Sequence, residues 1–159
     1  MRRKDKLVTD LNLLHEVINK AEVCRLGLVD GTKPYIIPLS FGFDGTYLYI
    51  HSAPEGKKVD ILSHNPRVCV EFEQNTGILK SEKPCNWSVR YFTVIGNGNA
   101  EVVEDCNEKN YGLNQIVRHY DPEAPVYAFT EQDLSTVLVY KIKFEEIAGK
   151  ISGMTRVNT

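Results

Sequence analysis

Hydrophobic residues alternate with polar ones over most of this chain, a period of two that is typical of half-buried β-strands. Such runs cover residues 23–29, 34–43, 47–51, 67–73, 87–100 with an extension to 103, and 136–144. Asp30-Gly31 and Asp44-Gly45 lie between the first three runs and have the composition of tight hairpin turns. The pattern therefore predicts about six strands, of which the first three form an antiparallel meander.

Three other stretches have the spacing of amphipathic helices, at about residues 10–21, 55–64 and 107–120. Thr9 and Asp10 can cap the first helix, and Asn65-Pro66 ends the second. Residues 74–84 show no period and are predicted to form a loop. Because hairpin-linked strands dominate over strand–helix alternation, the pattern favours a mainly β fold, an antiparallel closed or split barrel with helices packed outside it.

Length and charge narrow the class of protein. The 159 residues suit a single domain over 1–159, with 42% hydrophobic and 25% charged residues. A net charge of -2 gives no basic field for nucleic acid or anionic lipid. The N-terminal segment lacks the apolar stretch of a signal peptide, and no apolar run approaches the ~20 residues of a membrane span. We therefore expect a cytoplasmic protein that binds neither nucleic acid nor membranes.

The four cysteines, Cys24, Cys69, Cys85 and Cys106, form no CxxC pair. A structural zinc site is therefore not expected. The remaining interpretation is that they are buried free thiols in a reducing compartment.

The segment LYIHSAPEGKKVDILSHNPRV, residues 48–68, contains the candidate chemistry. Lys57 and Lys58 fall in the first turn of a predicted helix, where the helix dipole disfavours cations. A bound phosphate would remove this conflict, because helix N–H groups and two ammonium groups would hold it while Gly56 allows close approach. The residues alone leave two alternatives at about even weight: this phosphate site, or solvated lysines offset by Glu55.

Several segments resemble, in order, the FMN-binding split-barrel superfamily related to pyridoxamine 5′-phosphate oxidase. They are MRRKDKLVTD, RLGLVDGTKPYIIPLSFGFD, LYIHSAPEGKKVDIL, NPRVCVEFE, CNWSVRYFTVIGNGNAEVVED and EEIAGK, and they span nearly all of residues 1–150. HSAPEGKK and WSVRYFTVIG are the specific ones, and the nitroimidazole-resistance branch is the most similar. The resemblance implies a six-stranded antiparallel split barrel, a homodimer, and one FMN per subunit at the interface.

The resemblance also implies a flavin site made of ten positions: Pro38, Leu39, Ser40, His51, Ser52, Lys57, Lys58, Trp87, Arg90 and Tyr91. The first three would meet the isoalloxazine edge with backbone groups, the lysines would hold the phosphate, and the last three would shape the neighbouring subunit's pocket. His51 is the implied catalytic residue, with a role as proton donor. From its position alone, a lone histidine is more often a hydrogen-bonded structural residue.

The implied function is an FMN-dependent oxidoreductase that reduces small electron-poor substrates such as nitroaromatics. NAD(P)H or another electron donor would reduce its flavin. No GxGxxG motif for a separate dinucleotide domain is present. The alternatives are a module that binds or stores FMN or haem without turnover, and a structural dimer with a degenerate pocket.

Two departures from the superfamily stand out: Asn99 occupies the arginine position of its GxGRA ending, and the arginine- and histidine-bearing C-terminal segment of true pyridoxamine phosphate oxidases is missing. Pyridoxamine 5′-phosphate oxidation is therefore disfavoured.

Overall fold

The computed structural model describes residues 4–153, without the side chains of residues 4 and 75. The fold is mostly β, and its strands are β1 (Leu7–Val8), β2 (Cys24–Asp30), β3 (Lys33–Leu39), β4 (Gly42–Phe43), β5 (Tyr47–Ser52), β6 (Arg67–Leu79), β7 (Ser88–Val102) and β8 (Leu138–Ser152). They form one antiparallel sheet in the order β3-β2-β6-β7-β8-β5-β4, with β1 paired to β8. Six of these strands have six or more residues, in agreement with the predicted number. Residues 1–3, where the resemblance to the superfamily begins, lie outside the described range.

The helices flank this sheet: α1 (Leu11–Lys20), α2 (Lys57–His64), α3 (Cys106–Tyr120) and α4 (Glu131–Ser135). The first three lie where the sequence predicts them, and Asp10 caps α1 by accepting a hydrogen bond from the Leu13 N–H. Helix α4 was not predicted, although Thr130 and Asp133 form a capping box at its start. Among the described residues, no helix is long and apolar enough to cross a membrane.

One face of the sheet packs into the hydrophobic core. In β7 every second residue from Phe92 to Ala100 is buried, as period-two alternation requires. Helix α1 covers this face with Leu14, Val17 and Ile18. The opposite face of the same strands is at the surface of the single chain and carries mostly polar residues, with Ile95 exposed among them.

The predicted meander is wrong. Strand β3 lies at one end of the sheet, whereas β4 and β5 lie at the other, and residues 34–43 are therefore not one strand. The chain leaves β3 after Leu39, buries Phe41 completely and enters β4 at Gly42. A side chain at Gly42 would meet the backbone of Gln115 in α3 at 2.3 Å, so this crossing requires glycine.

The predicted loop over residues 74–84 is wrong in its first half. Strand β6 continues to Leu79 and pairs with β7, with an irregular register between Gln74 and Gly77. That irregularity interrupts the alternation from which a strand is recognised in the sequence. Strand β8 also runs eight residues beyond the predicted end at Phe144.

The expectation of four buried thiols holds for one cysteine. Cys24 is buried in the core, whereas Cys69, Cys85 and Cys106 are exposed, and all four are free. Cys69 lies within an alternating strand but on its outer face, which a strand pattern alone does not identify.

Candidate functional site

The candidate site is centred on the turn between β5 and α2. Strand β5 ends with His51 and Ser52, and α2 begins at Lys57. The preceding Gly56 has φ 120° and ψ 167° and supplies no side-chain cap. Most side chains cannot adopt this φ, so glycine is needed here. The N–H groups of the first turn consequently lack the side-chain acceptor that caps most helices.

Lys58 is the cation that lies closest to the end of β5. Its Nζ donates a hydrogen bond to the backbone carbonyl of His51 at 3.1 Å. The side chain is half-buried, and this desolvation lowers the pKa of the Lys58 ammonium. Within residues 4–153 the structure records no carboxylate in ion-pair contact with Lys58. The arrangement is a partly desolvated positive charge beside an uncapped helix start, which is a favourable place for an anion.

Lys57 has a different environment from Lys58. Its Nζ lies 3.2 Å from Oδ2 of Asp30 and 5.0 Å from the centre of the Tyr35 ring. Both partners belong to the β2–β3 hairpin, so Lys57 extends toward that hairpin while Lys58 reaches back to β5. The sequence suggested two equivalent lysines, whereas the structure brings only Lys58 into contact with the His51 backbone.

His51 pairs with Val139 of β8 and is exposed at the surface of the single chain. Partial desolvation, and secondarily the positive charge of Lys58, lower the pKa of its imidazole. The neutral ring therefore predominates at neutral pH. Ser52 is buried, as expected from the alternation of side chains along a strand, so its side chain lies on the opposite face from that of His51.

Pro38, Leu39 and Ser40 lie at the end of β3, which is an edge strand. One side of an edge strand has unpaired backbone N–H and C=O groups that a ligand can bind. Leu39 pairs with Cys24 of β2, and helix α2 packs against the same strand β2. The end of β3 is therefore connected to the Lys58 side of α2 through one strand.

Trp87, Arg90 and Tyr91 lie far from His51 in the same chain. Tyr91 pairs with Ser152, and His51 pairs with Val139, thirteen residues earlier on the same strand β8. At a rise of about 3.3 Å per residue this separation is roughly 40 Å along the strand. Within one chain, strand β8 thus separates Tyr91 and the start of β7 from His51.

The surroundings of Trp87 and Arg90 are those of an exposed hairpin. The Trp87 indole N–H donates to the Ser81 carbonyl at 2.8 Å, and the Lys80 ammonium lies 5.5 Å from the ring centre. Arg90 lies across Gly77 of the paired strand. These contacts hold both side chains on the β6–β7 hairpin, away from the core.

The position of the superfamily arginine is occupied by Asn99, which donates to Glu145 at 2.7 Å. The same carboxylate accepts a hydrogen bond from Arg67 at 3.2 Å. Arg67 therefore forms an exposed ion pair with Glu145.

Comparison with known proteins gives one family and several similar folds. Residues 10–151 match the sequence model of the family described as pyridoxamine 5′-phosphate oxidase. A stretch of 58 residues is 31% identical to an uncharacterized protein of Rhizobium meliloti (strain 1021), and it covers 36% of this chain and 38% of that protein.

Among solved structures, a candidate 5-nitroimidazole antibiotic resistance protein from Bacteroides thetaiotaomicron is 29% identical, with a TM-score of 0.81 over 91% of this chain and 86% of that one. An FAD- and haem-binding protein from Mycobacterium smegmatis is 21% identical, with a TM-score of 0.85 over 97% of this chain and 77% of that one. An FAD-binding protein from Mesorhizobium loti is 20% identical, with a TM-score of 0.68 over 93% and 98% of the two chains. The last two similarities concern the fold alone.

Proposed function

The chain belongs to the pyridoxamine 5′-phosphate oxidase family, and on that premise we propose that it is an FMN-binding oxidoreductase that reduces small electron-poor molecules such as nitroaromatics. The observation that carries the proposal is Lys58, a partly desolvated cation without a carboxylate partner in the described part of the chain, beside an uncapped helix start. The similarity to the Bacteroides protein supports the nitroaromatic substrate class.

The residues at the β5–α2 turn suit a phosphate monoester such as that of FMN. The α2 N–H groups and the Lys58 ammonium are donors, and a phosphate supplies the acceptors and the negative charge that they lack. Lys57 adds a second positive charge at the same turn, although it is already paired with Asp30. This match favours FMN over riboflavin, which has no phosphate.

The edge of β3 and the imidazole of His51 provide the remaining contacts in this proposal. Backbone groups of Leu39 and Ser40 donate hydrogen bonds to the edge of the flavin ring or accept them from it, whereas Pro38 has no N–H to donate. His51, neutral at neutral pH, presents a ring N–H that can be donated to an oxygen of the substrate. A bound flavin would supply the two-electron reduction chemistry. The residues of the chain would bind the flavin, orient the substrate and donate hydrogen bonds to it.

The proposal includes a homodimer in which the β6–β7 hairpin of one chain contributes to the pocket of the other. Three large apolar side chains lie close together on the β6–β7 hairpin and are strongly exposed in the single chain: Ile78 at 65%, its cross-strand partner Val89 at 42%, and Trp87 at 48%. A monomer seldom leaves several such side chains in water, and a partner surface would cover them. Light scattering after size exclusion tests this, with Ile78→Glu expected to give monomers; a monomeric unmodified protein would refute the dimer.

The deciding experiment is anaerobic and starts from the purified protein. Its absorption spectrum and the mass of the released ligand identify FMN, and added NADH or NADPH should bleach the flavin bands. A nitroaromatic should then restore them without oxygen. Protein that takes up no FMN would refute the proposal, and a Soret band would favour a haem module. Flavin that is bleached but not reoxidised by the nitroaromatic would favour a different acceptor or a storage role.

A further inference from the structure

The last turn of α3 holds the chain where it crosses from β3 to β4. The Tyr120 hydroxyl donates a hydrogen bond to the Glu22 carbonyl at 2.8 Å and accepts one from the Phe41 N–H at 3.2 Å. Partial desolvation raises the pKa of this hydroxyl, so the oxygen keeps the proton that it donates. One oxygen atom therefore joins three parts of the chain: the link after α1, the crossing segment and the end of α3.

His119, the neighbouring residue of α3, holds the same crossing segment through a side chain. The His119 Nε2 lies 2.7 Å from the carbonyl oxygen of Ala21, and because a carbonyl only accepts, this nitrogen carries the proton. The centre of the His119 ring lies 4.2 Å from that of Phe41, whose side chain is completely buried. Helix α3 thus holds both the ring and the backbone N–H of Phe41.

The Phe41 N–H belongs to the same peptide group as the Ser40 carbonyl. This peptide group is trans, so it is planar and its N–H and C=O point in opposite directions. The hydrogen bond to Tyr120 therefore fixes the direction of the Ser40 carbonyl, which points away from the Tyr120 oxygen. Because Ser40 directly follows the edge strand β3, this direction decides which polar group a molecule at the end of that edge meets.

We propose that Tyr120 is a positioning residue for a flavin ring at the end of β3. The inference rests on the proposed function, in which backbone groups of Leu39 and Ser40 contact the edge of that ring. In this role Tyr120 acts through the Ser40–Phe41 peptide group and not by contact with the ring. An unpaired N–H costs free energy in the folded state, so removing the hydroxyl turns the peptide group toward another acceptor.

The test compares Tyr120→Phe with Tyr111→Phe, which removes the hydroxyl of the other tyrosine in α3. The two side chains are similarly exposed, at 49% and 44%, and the Tyr111 hydroxyl donates to Asp44 at 3.4 Å. Quenching of flavin fluorescence gives the dissociation constants for FMN and riboflavin. Tyr120→Phe should raise both constants about fivefold, as expected for one neutral hydrogen bond, because the two ligands share the ring. Tyr111→Phe should leave both constants unchanged.

A second measurement separates positioning of the ring from a purely structural role. Hydrogen exchange of the Phe41 amide, followed by NMR, should be faster in Tyr120→Phe than in the unmodified protein, and urea denaturation gives the stability of each variant. A less stable Tyr120→Phe that binds both flavins as tightly as the unmodified protein would overturn the inference. A loss confined to FMN would also overturn it, because the effect would then lie at the phosphate. Unmodified protein that binds neither flavin would refute the proposed function itself, and this inference with it.

Discussion

Replacing Lys58 by methionine should weaken FMN binding much more than the same change at Lys57. The Lys58 ammonium has already lost part of its hydration on folding and has only the His51 carbonyl as a hydrogen-bond partner among the described residues. A charge-assisted hydrogen bond contributes about 1.5–3 kcal/mol, and a half-buried group falls in the lower part of that range. A loss of about 2 kcal/mol corresponds to an increase of about 30-fold in the dissociation constant.

Lys57 should contribute less because it is already engaged. Its ammonium pairs with Asp30 at 3.2 Å, and both side chains are about half exposed. Exposed pairs of this kind contribute about 0–1 kcal/mol, so rearranging Lys57 toward a phosphate gains little. Lys57→Met should therefore raise the dissociation constant for FMN about fivefold at most.

Riboflavin provides the matched control, because it has the same ring system and no phosphate. Quenching of flavin fluorescence gives both dissociation constants for each variant. We expect Lys58→Met to change FMN affinity and leave riboflavin affinity nearly unaltered. Equal losses for the two ligands would mean that Lys58 acts on the fold or the ring, and a larger effect at Lys57 than at Lys58 would contradict the geometry described above.

Two further predictions concern catalysis and stability. His51→Ala should keep FMN bound while nitroaromatic reduction, followed anaerobically, falls about 100-fold, the scale of a lost hydrogen-bond donor to developing negative charge; undiminished turnover would exclude a role for the imidazole N–H. Asn114→Ala should lower the free energy of unfolding by about 2–4 kcal/mol, because the buried amide donates to the carbonyls of Asn110 and Tyr127 and accepts from the Tyr127 N–H. Urea denaturation measures this, with Asn12→Ala on the exposed side of α1 as the control; similar losses in both variants would show that the amide network is dispensable.

The sequence predicts local structure well where one residue pattern decides it. Asp10 begins α1 as expected, and the period of two holds along β7 from Phe92 to Ala100. Prediction from the sequence fails where pairing between residues distant in the chain decides the structure. Gln74 and Gly77 sit at an irregular register that hides the second half of β6, and the pairing with β7 sustains it nevertheless. The meander failed for a related reason, since neither Leu39 nor Gly42 signals that the chain crosses to the opposite end of the sheet.

The sequence predicts which segment forms the candidate site, but it does not predict how the side chains of that segment are arranged. The cationic helix start at Lys57 and Lys58 is visible in the sequence, because lysines oppose the helix dipole there. The sequence does not show that Asp30 pairs with the first lysine while the second contacts the backbone of His51, since both partners come from other strands.

Strand β8 sets a fixed distance between two groups of polar residues, one beside His51 and one around Tyr91. In a two-fold assembly with antiparallel contacts, one group from each chain would meet the other group of its neighbour. A lesion at one end of β8 in one of the two chains would then disable only one of the two pockets. Two chains with lesions at opposite ends would restore one intact pocket when mixed, whereas two chains damaged at the same end would restore none, a form of intragenic complementation that follows from the length of a single strand.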